Sequence, residues 1–290
     1  MTTPALFYFH EHSEYTSELG TAKLRSLIDR SDIIFWEFTS PDLEWTGKVE
    51  QNWNECIRRH DLSSIDYAPL QGLFLVRQLQ GTSLRLKLEQ SLPPPYYPRD
   101  LRLEATLAFF DSTLPRAYQI YDEFLSIDLP YHAQREQKVA AEIVSLPETV
   151  TIVFGCGHLD MVELIQRERP VEIHYPYDNY PESCEIKLRQ NYMQTGRLEK
   201  ELYHQAMAES IVMKAIQEIT RKYNPHEGFI LANYYSQRFA SPQIIALRDE
   251  YLRAHEERSS TIGPVFKKFL ERQSLPSILE SAALILDAKI

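Results

Sequence analysis

The chain has 290 residues, of which 43% are apolar and 25% charged, and this composition excludes a disordered or fibrous protein. The 31 Lys and Arg are outnumbered by 41 Asp and Glu, which gives a formal net charge of −10. Because this charge repels the phosphates of nucleic acid and the head groups of an anionic membrane, we expect neither as a partner.

The cysteines and the apolar runs indicate the compartment. Cys56, Cys156 and Cys184 show no CxxC spacing, and an odd number of distant cysteines does not make a disulfide framework. The first ten residues lack the basic segment of a signal peptide, and no apolar run approaches the ~20 residues that cross a bilayer. We therefore expect a cytoplasmic protein.

Five short apolar runs alternate with segments of helical period over the first 175 residues. The runs lie at 6–9, 32–36, 83–88, 150–154 and 171–175. This pattern predicts an α/β fold with a mainly parallel central sheet and crossover helices on both faces. Leucines alternate with charged residues in the third run, which is typical of an edge strand.

Helical segments fill most of the remaining chain. Residues 101–146 are predicted to be helical, with interruptions near Pro115 and Pro130, and apolar spacing from Leu198 to Tyr223 predicts a long amphipathic helix. We predict an α/β core over residues 1–178, which carries the site, and a helical C-terminal extension over 179–290 packed on that core. The extension offers a surface for a protein partner or for self-association.

Charged and imidazole side chains directly follow four of the five runs. They are His10, Glu11 and His12 after the first run, Glu37 after the second, Glu89 after the third and His158 after the fourth. Ligands of open parallel sheets bind beyond the carboxyl ends of the strands, so we expect the site there. Imidazole and carboxylate groups bind zinc, manganese or iron, and they also serve general acid–base catalysis near neutral pH.

Two of these positions admit alternatives. Residues two apart after an extended strand point to opposite sides, so His10 and His12 do not both face the site unless the chain turns, and we favour His12. His158 lies just before a predicted helix, where it could instead cap the helix with its ring.

Arg135 is a further candidate, because it shares a helix face with Val139 and Ile143 that should pack on the sheet. A buried guanidinium needs an acidic partner, which Glu37 or Glu89 could supply. Glu89 has a second interpretation, as an exposed residue on the polar face of the edge strand. His132, on the same helix as Arg135, is expected to be structural.

Three motifs resemble those of the TraB, Tiki, ChaN-like and erythromycin-esterase superfamily. They are Phe9-His10-Glu11-His12, the run from Asp32 to Glu37, and Gly155-Cys156-Gly157-His158 after an arginine-bearing helix. The likeness covers roughly residues 5–175. It departs from the family at Phe9, where the family carries glycine, and at His10, where the family carries threonine or glutamate.

The resemblance implies a metal-assisted hydrolase of peptidase or esterase type, but the substrate class does not transfer from the superfamily. We expect a small-molecule or peptide substrate. In that account His12, Glu37 and His158 bind a divalent manganese, zinc or iron ion, and Arg135 stabilises an oxyanion or holds Glu37. His10, Glu11 and Glu89 are possible further site residues. The loss of the motif glycine at Phe9 favours the alternative, a non-catalytic ligand- or protein-binding member with a degenerate site.

Overall fold

A computed structural model of the chain describes residues 3–10, 18–38, 42–66, 70–90, 99–155, 158–175, 182–219, 225–256 and 262–285. The chain divides into two compact units, Met1–Tyr97 with Pro130–Tyr180 and Pro98–Leu129 with Pro181–Ile290. We call the first the α/β unit and the second the helical unit. The division differs from a single boundary after residue 178, because residues 98–129 group with the C-terminal helices.

The strands and helices follow one another in this order. The strands are β1 Ala5–His10, β2 Ile33–Trp36, β3 Arg85–Leu88, β4 Val150–Gly155 and β5 Val171–His174. The helices are α1 Glu18–Ile28, α2 Leu43–Arg59, α3 Leu70–Leu79, α4 Arg99–Asp111, α5 Leu114–Val144, α6 Leu159–Gln166, α7 Cys184–Thr195, α8 Lys200–Ile219, α9 Pro225–Ser236, α10 Ser241–Glu256, α11 Ile262–Arg272 and α12 Ile278–Ile285, with a short 3₁₀ turn at Leu62–Ser64. No helix of the described ranges is long and apolar enough to cross a membrane.

A parallel sheet with the strand order β3-β2-β4-β1-β5 forms the centre of the α/β unit. Alternate strand residues point to its two faces. Leu6 and Ile34 belong to a core shared with α1, α2 and α3, while Phe7 and Phe35 belong to a core shared with α6 and the end of α5. The predicted α/β class, with crossover helices on both faces, is confirmed. Each buried Phe contributes about 1.5–3 kcal/mol to stability.

The edge strand β3 is covered by side chains of α2. Asn54 accepts a hydrogen bond from the Leu86 N–H at 2.9 Å and donates one to the Leu86 carbonyl at 2.8 Å. Glu50 accepts from the Leu88 N–H at 2.7 Å. These contacts occupy backbone groups that an edge strand otherwise presents to another chain. The predicted edge position of this strand is also confirmed.

Prolines stand near the starts of several helices, including Pro115 in the first turn of α5, where the sequence predicts an interruption. Pro225, Pro242 and Pro264 stand in the first turns of α9, α10 and α11, where a missing N–H removes no helical hydrogen bond. The predicted break at Pro130 is wrong, because α5 continues through it for 31 residues in all. Pro130 removes one backbone hydrogen bond from α5, and the helix continues on both sides of it.

A buried polar cluster lies within the otherwise apolar core of the helical unit. Glu209 of α8 accepts a hydrogen bond from the Asn233 side chain at 2.7 Å and one from the Cys184 backbone N–H at 3.1 Å. The Asn233 amide also donates to the Glu182 carbonyl at 2.9 Å. Burial raises the pKa of Glu209 to about 7, because these amide donors offset only part of the lost hydration.

Glu209→Gln tests this cluster through the pH dependence of stability. The pKa of Glu209 is higher in the folded protein than in the unfolded chain. Its contribution to stability is therefore complete when the pH is below the unfolded-state pKa, and it is lost as the pH rises through about 7. The wild type should therefore lose, relative to the Gln variant, on the order of 3 kcal/mol between about pH 5 and about pH 8. Urea unfolding measures the difference.

Glu201→Gln is the matched control, because Glu201 lies on the same helix and is exposed. Its difference from the wild type should stay constant with pH. A pH-independent difference for the Glu209 variant would contradict the assignment.

Candidate functional site

The carboxyl edge of the sheet brings together side chains from four elements of the α/β unit. Glu37 directly follows β2, Glu89 directly follows β3, and His158 lies between β4 and α6. Arg135 reaches them from α5. Four of the residues predicted from the sequence therefore meet at this edge.

Arg135 joins the ends of the two neighbouring strands β2 and β3. Its Nε and Nη2 atoms donate to the two carboxylate oxygens of Glu89, both at 2.6 Å, and Nη2 also donates to Glu37 Oε1 at 3.0 Å. The side chain of Arg135 is 7% exposed and that of Glu89 is fully buried. Both acidic partners considered from the sequence therefore pair with the arginine.

The interpretation of Glu89 as an exposed edge residue is wrong, and the polar face of β3 shows why. Arg85 pairs with Glu148 at 3.2 Å, Lys87 with Glu142 at 2.7 Å and Glu89 with Arg135 at 2.6 Å. The β3 side chains of these pairs are 57%, 23% and 0% exposed in that order. Alternation correctly placed Glu89 on the polar face, but α5 and the residues just after it cover that face.

Glu37 is held by three donors. Its Oε1 accepts from Arg135 and lies 3.1 Å from His158 Nε2, and its Oε2 accepts from the Gly155 backbone N–H at 2.8 Å. Burial alone would raise the pKa of this carboxyl, but the His158 and Arg135 charges and the hydrogen bonds hold it well below its usual range. Glu37 is therefore a carboxylate at neutral pH.

His158 lies between two carboxylates. Its Nδ1 is 2.9 Å from Glu136 Oε1 and its Nε2 is 3.1 Å from Glu37 Oε1, while Phe154 packs edge-on against the ring. Burial opposes the charged imidazolium, yet the two carboxylates raise the pKa of His158 to about 9. The ring makes no capping hydrogen bond to α6, so the capping alternative is wrong.

Together these side chains form a chain of alternating charge, which we call the ion chain. It runs Glu89, Arg135, Glu37, His158, Glu136. Each of its two cations lies between two carboxylates, and this pairing is what makes the burial of Glu89, Arg135, His158 and Glu136, and the partial burial of Glu37, tolerable. Imidazole between carboxylates can move a proton or bind a cation, so the ion chain is the candidate site.

Glu136 and His132 are two further candidate residues that the sequence interpretation did not include in the site. They stand four residues apart on α5, and together with His158 they place three ligand atoms within 4.8 Å of one another. The signal was present in the sequence: positions 132, 135 and 136 share the helix face already assigned to the sheet side by Val139 and Ile143. The interpretation of His132 as structural took no account of that spacing.

The first motif is described only in part. His10 ends β1, and its backbone lies in register with Gly155 of β4. Glu11 and His12 lie outside the described residues, so their predicted roles remain predictions. No protein-family model, curated protein or solved structure matches this chain. The fold and the ion chain therefore define the candidate site.

Arg135→Met tests the dependence of the ion chain on its central cation. We expect the free energy of unfolding to fall by about 3–5 kcal/mol, because the fully buried Glu89 and the partly buried Glu37 lose that positive charge. Chemical denaturation measures the change.

Arg30→Met is the matched control within the same unit. Arg30 and Glu172 form a single ion pair with side chains 48% and 43% exposed, and its loss should cost about 0–1 kcal/mol. Equal losses in the two variants would contradict a buried, energetically important Arg135.

Proposed function

We propose that this protein is a hydrolase of peptidase or esterase type that activates water at the carboxyl edge of its sheet. The observation that carries the proposal is the convergence of Glu37, Arg135 and His158, from three separate elements, in one buried ion chain. Hydrolysis needs a group that takes a proton from water and one that returns a proton to the leaving group. A carboxylate hydrogen-bonded to an imidazole provides such a pair.

The contacts favour a specific role for each side chain. The Glu37 carboxylate is the group that takes a proton from water, and the protonated His158, whose Nε2 lies 3.1 Å from Glu37 Oε1, is the group that gives a proton to the leaving group. Glu136 contacts Nδ1 of the same imidazole at 2.9 Å. Of the two roles anticipated for Arg135, holding Glu37 is the better supported, because Nε and Nη2 are engaged by carboxylates.

A divalent ion fits the donors present at this edge. Imidazole nitrogens and carboxylate oxygens suit zinc, manganese or iron, and such an ion lowers the pKa of bound water to about 7. The carboxylates of the ion chain outnumber its cations, so a further positive charge is electrostatically favourable. We propose a small-molecule or peptide substrate and a cytoplasmic location, in accordance with the charge and the cysteine pattern.

A second candidate is a non-catalytic binding protein with a degenerate site. The ion chain favours this non-catalytic function in one respect, because the charged groups of the ion chain pair with one another without any substrate. Leu279 and Leu284 of α12, 66% and 64% exposed, offer an apolar surface for a protein partner or a second copy.

Glu37→Gln and His158→Ala distinguish the two functions. If the ion chain activates water, each change should lower hydrolysis by ~100-fold or more, because acid–base groups contribute factors of that size. The measurement is cleavage of nitrophenyl esters and of a fluorogenic peptide library, with manganese, zinc or iron added in turn.

His174→Ala is the matched control, since His174 ends β5 at the same edge and pairs with Glu172 outside the ion chain. It should retain wild-type rates. Wild-type protein that cleaves none of these substrates with any of the three metals, or variants that cleave as well as the wild type, would contradict the hydrolase proposal.

A further inference from the structure

We propose that the divalent-metal site of this protein consists of His132, Glu136 and His158. In this arrangement Glu37, on the other side of the His158 ring, orients the imidazole and does not bind the ion. The inference differs from the predicted set of His12, Glu37 and His158. Its relevance to catalysis rests on the proposed function, whereas the location of the ion is tested without any turnover.

The three ligand atoms are close enough for one ion. His132 and Glu136 stand four residues apart on α5 and so share a helix face, and Glu136 Oε1 lies 2.9 Å from His158 Nδ1. All three ligand atoms lie within 4.8 Å of one another. Bonds of about 2.0–2.2 Å place the ligand atoms of one tetrahedral ion about 3.3–3.6 Å apart, so Glu136 Oε1 and His158 Nδ1 would separate slightly while the more distant ligand atoms approach by about 1–1.5 Å.

The composition of the set also fits a metal centre that acts on water. Two imidazoles and one carboxylate form a common ligand set of catalytic zinc sites, in which the fourth position is left to water. Glu136 and His158 are buried and His132 is half-buried, so the ion would be partly shielded from solvent. A partly shielded site strengthens the attraction between the ion and its carboxylate.

The competing position beside Glu37 is less suitable for a cation. Glu37 already accepts from Arg135, from His158 and from the Gly155 N–H. An ion bound to Oε1 would stand next to a guanidinium that lies 3.0 Å from the same oxygen. Glu136, by contrast, has one hydrogen-bond partner among the described residues, His158. An ion bound to Glu136 would replace its contact with His158.

Glu37 then has a defined function in the assembled site. A histidine that binds metal through one ring nitrogen usually donates its other N–H to a carboxylate, which fixes the tautomer. With Nδ1 on the ion, His158 Nε2 donates to Glu37 Oε1, and Arg135 holds that carboxylate in place. The two candidate metal sets thus use opposite nitrogens of one imidazole, and variants can separate them.

The test measures binding of Zn²⁺ to the full-length protein by calorimetry and counts zinc-bound imidazoles by X-ray absorption. The wild type should bind one Zn²⁺ with two imidazoles. His132→Ala should leave one imidazole on zinc, and Glu136→Gln should weaken binding without changing the side-chain volume. Glu37→Gln should keep both imidazoles and lose ~10–100-fold in affinity, as for other orienting carboxylates.

His174→Ala is again the control and should bind zinc as the wild type does, and circular dichroism verifies that each variant is folded. The site is overturned if the wild type binds no Zn²⁺, if His132→Ala retains two imidazoles, or if Glu37→Gln loses more affinity than His132→Ala. Zinc bound as described without any hydrolysis would contradict the proposed function and leave the site standing. Hydrolysis by protein that binds no zinc at these residues would overturn the metal site and leave the proposed function standing.

Discussion

The buried guanidinium of Arg135 is the constraint on which the carboxyl edge of the sheet depends. Strands β2 and β3 are neighbours, and each ends on a glutamate, so two negative charges would otherwise be buried close together. Arg135 contacts both carboxylates at 2.6–3.0 Å and removes that repulsion. An isolated buried carboxylate would instead cost several kcal/mol or take up a proton. His158 and Arg135 together keep Glu37 ionised, with His158 the larger influence of the two on its pKa.

The same helix that carries Arg135 also determines where the other site residues stand. Along the polar face of β3, Lys87 pairs with Glu142 of α5, and Arg85 pairs with Glu148 just after that helix. Val139 and Ile143 pack into the core on that side and fix the rotation of the helix. Glu136 is thereby placed beside His158, so packing far from the ligand atoms sets the geometry of the candidate metal centre.

Much of this arrangement could be predicted from the sequence because strand ends in a parallel sheet are easy to locate. The apolar runs gave the sheet, and the groups that follow them, Glu37 and His158, proved to be neighbours in the ion chain. The burial of Glu89 could not be predicted, because it depends on coverage of an edge strand by a distant helix. The spacing of His132 and Glu136 indicated a shared face of α5, but their approach to His158 depends on how that helix packs against the sheet, which no local pattern specifies. Residues 98–129 carry no composition signal that groups them with the C-terminal helices, so that grouping also emerges only from tertiary contacts.

The most direct test of this account is a double-mutant cycle between Arg135 and Glu89, with Arg135→Met and Glu89→Leu measured singly and together by chemical denaturation. If the ion chain depends on this buried pair, each single change leaves a buried charge without its partner. The double change should then cost less than the sum of the two by about 1–3 kcal/mol. Strict additivity would contradict the account, because it would mean that the two side chains contribute independently and that Arg135 does not hold the edge of the sheet together.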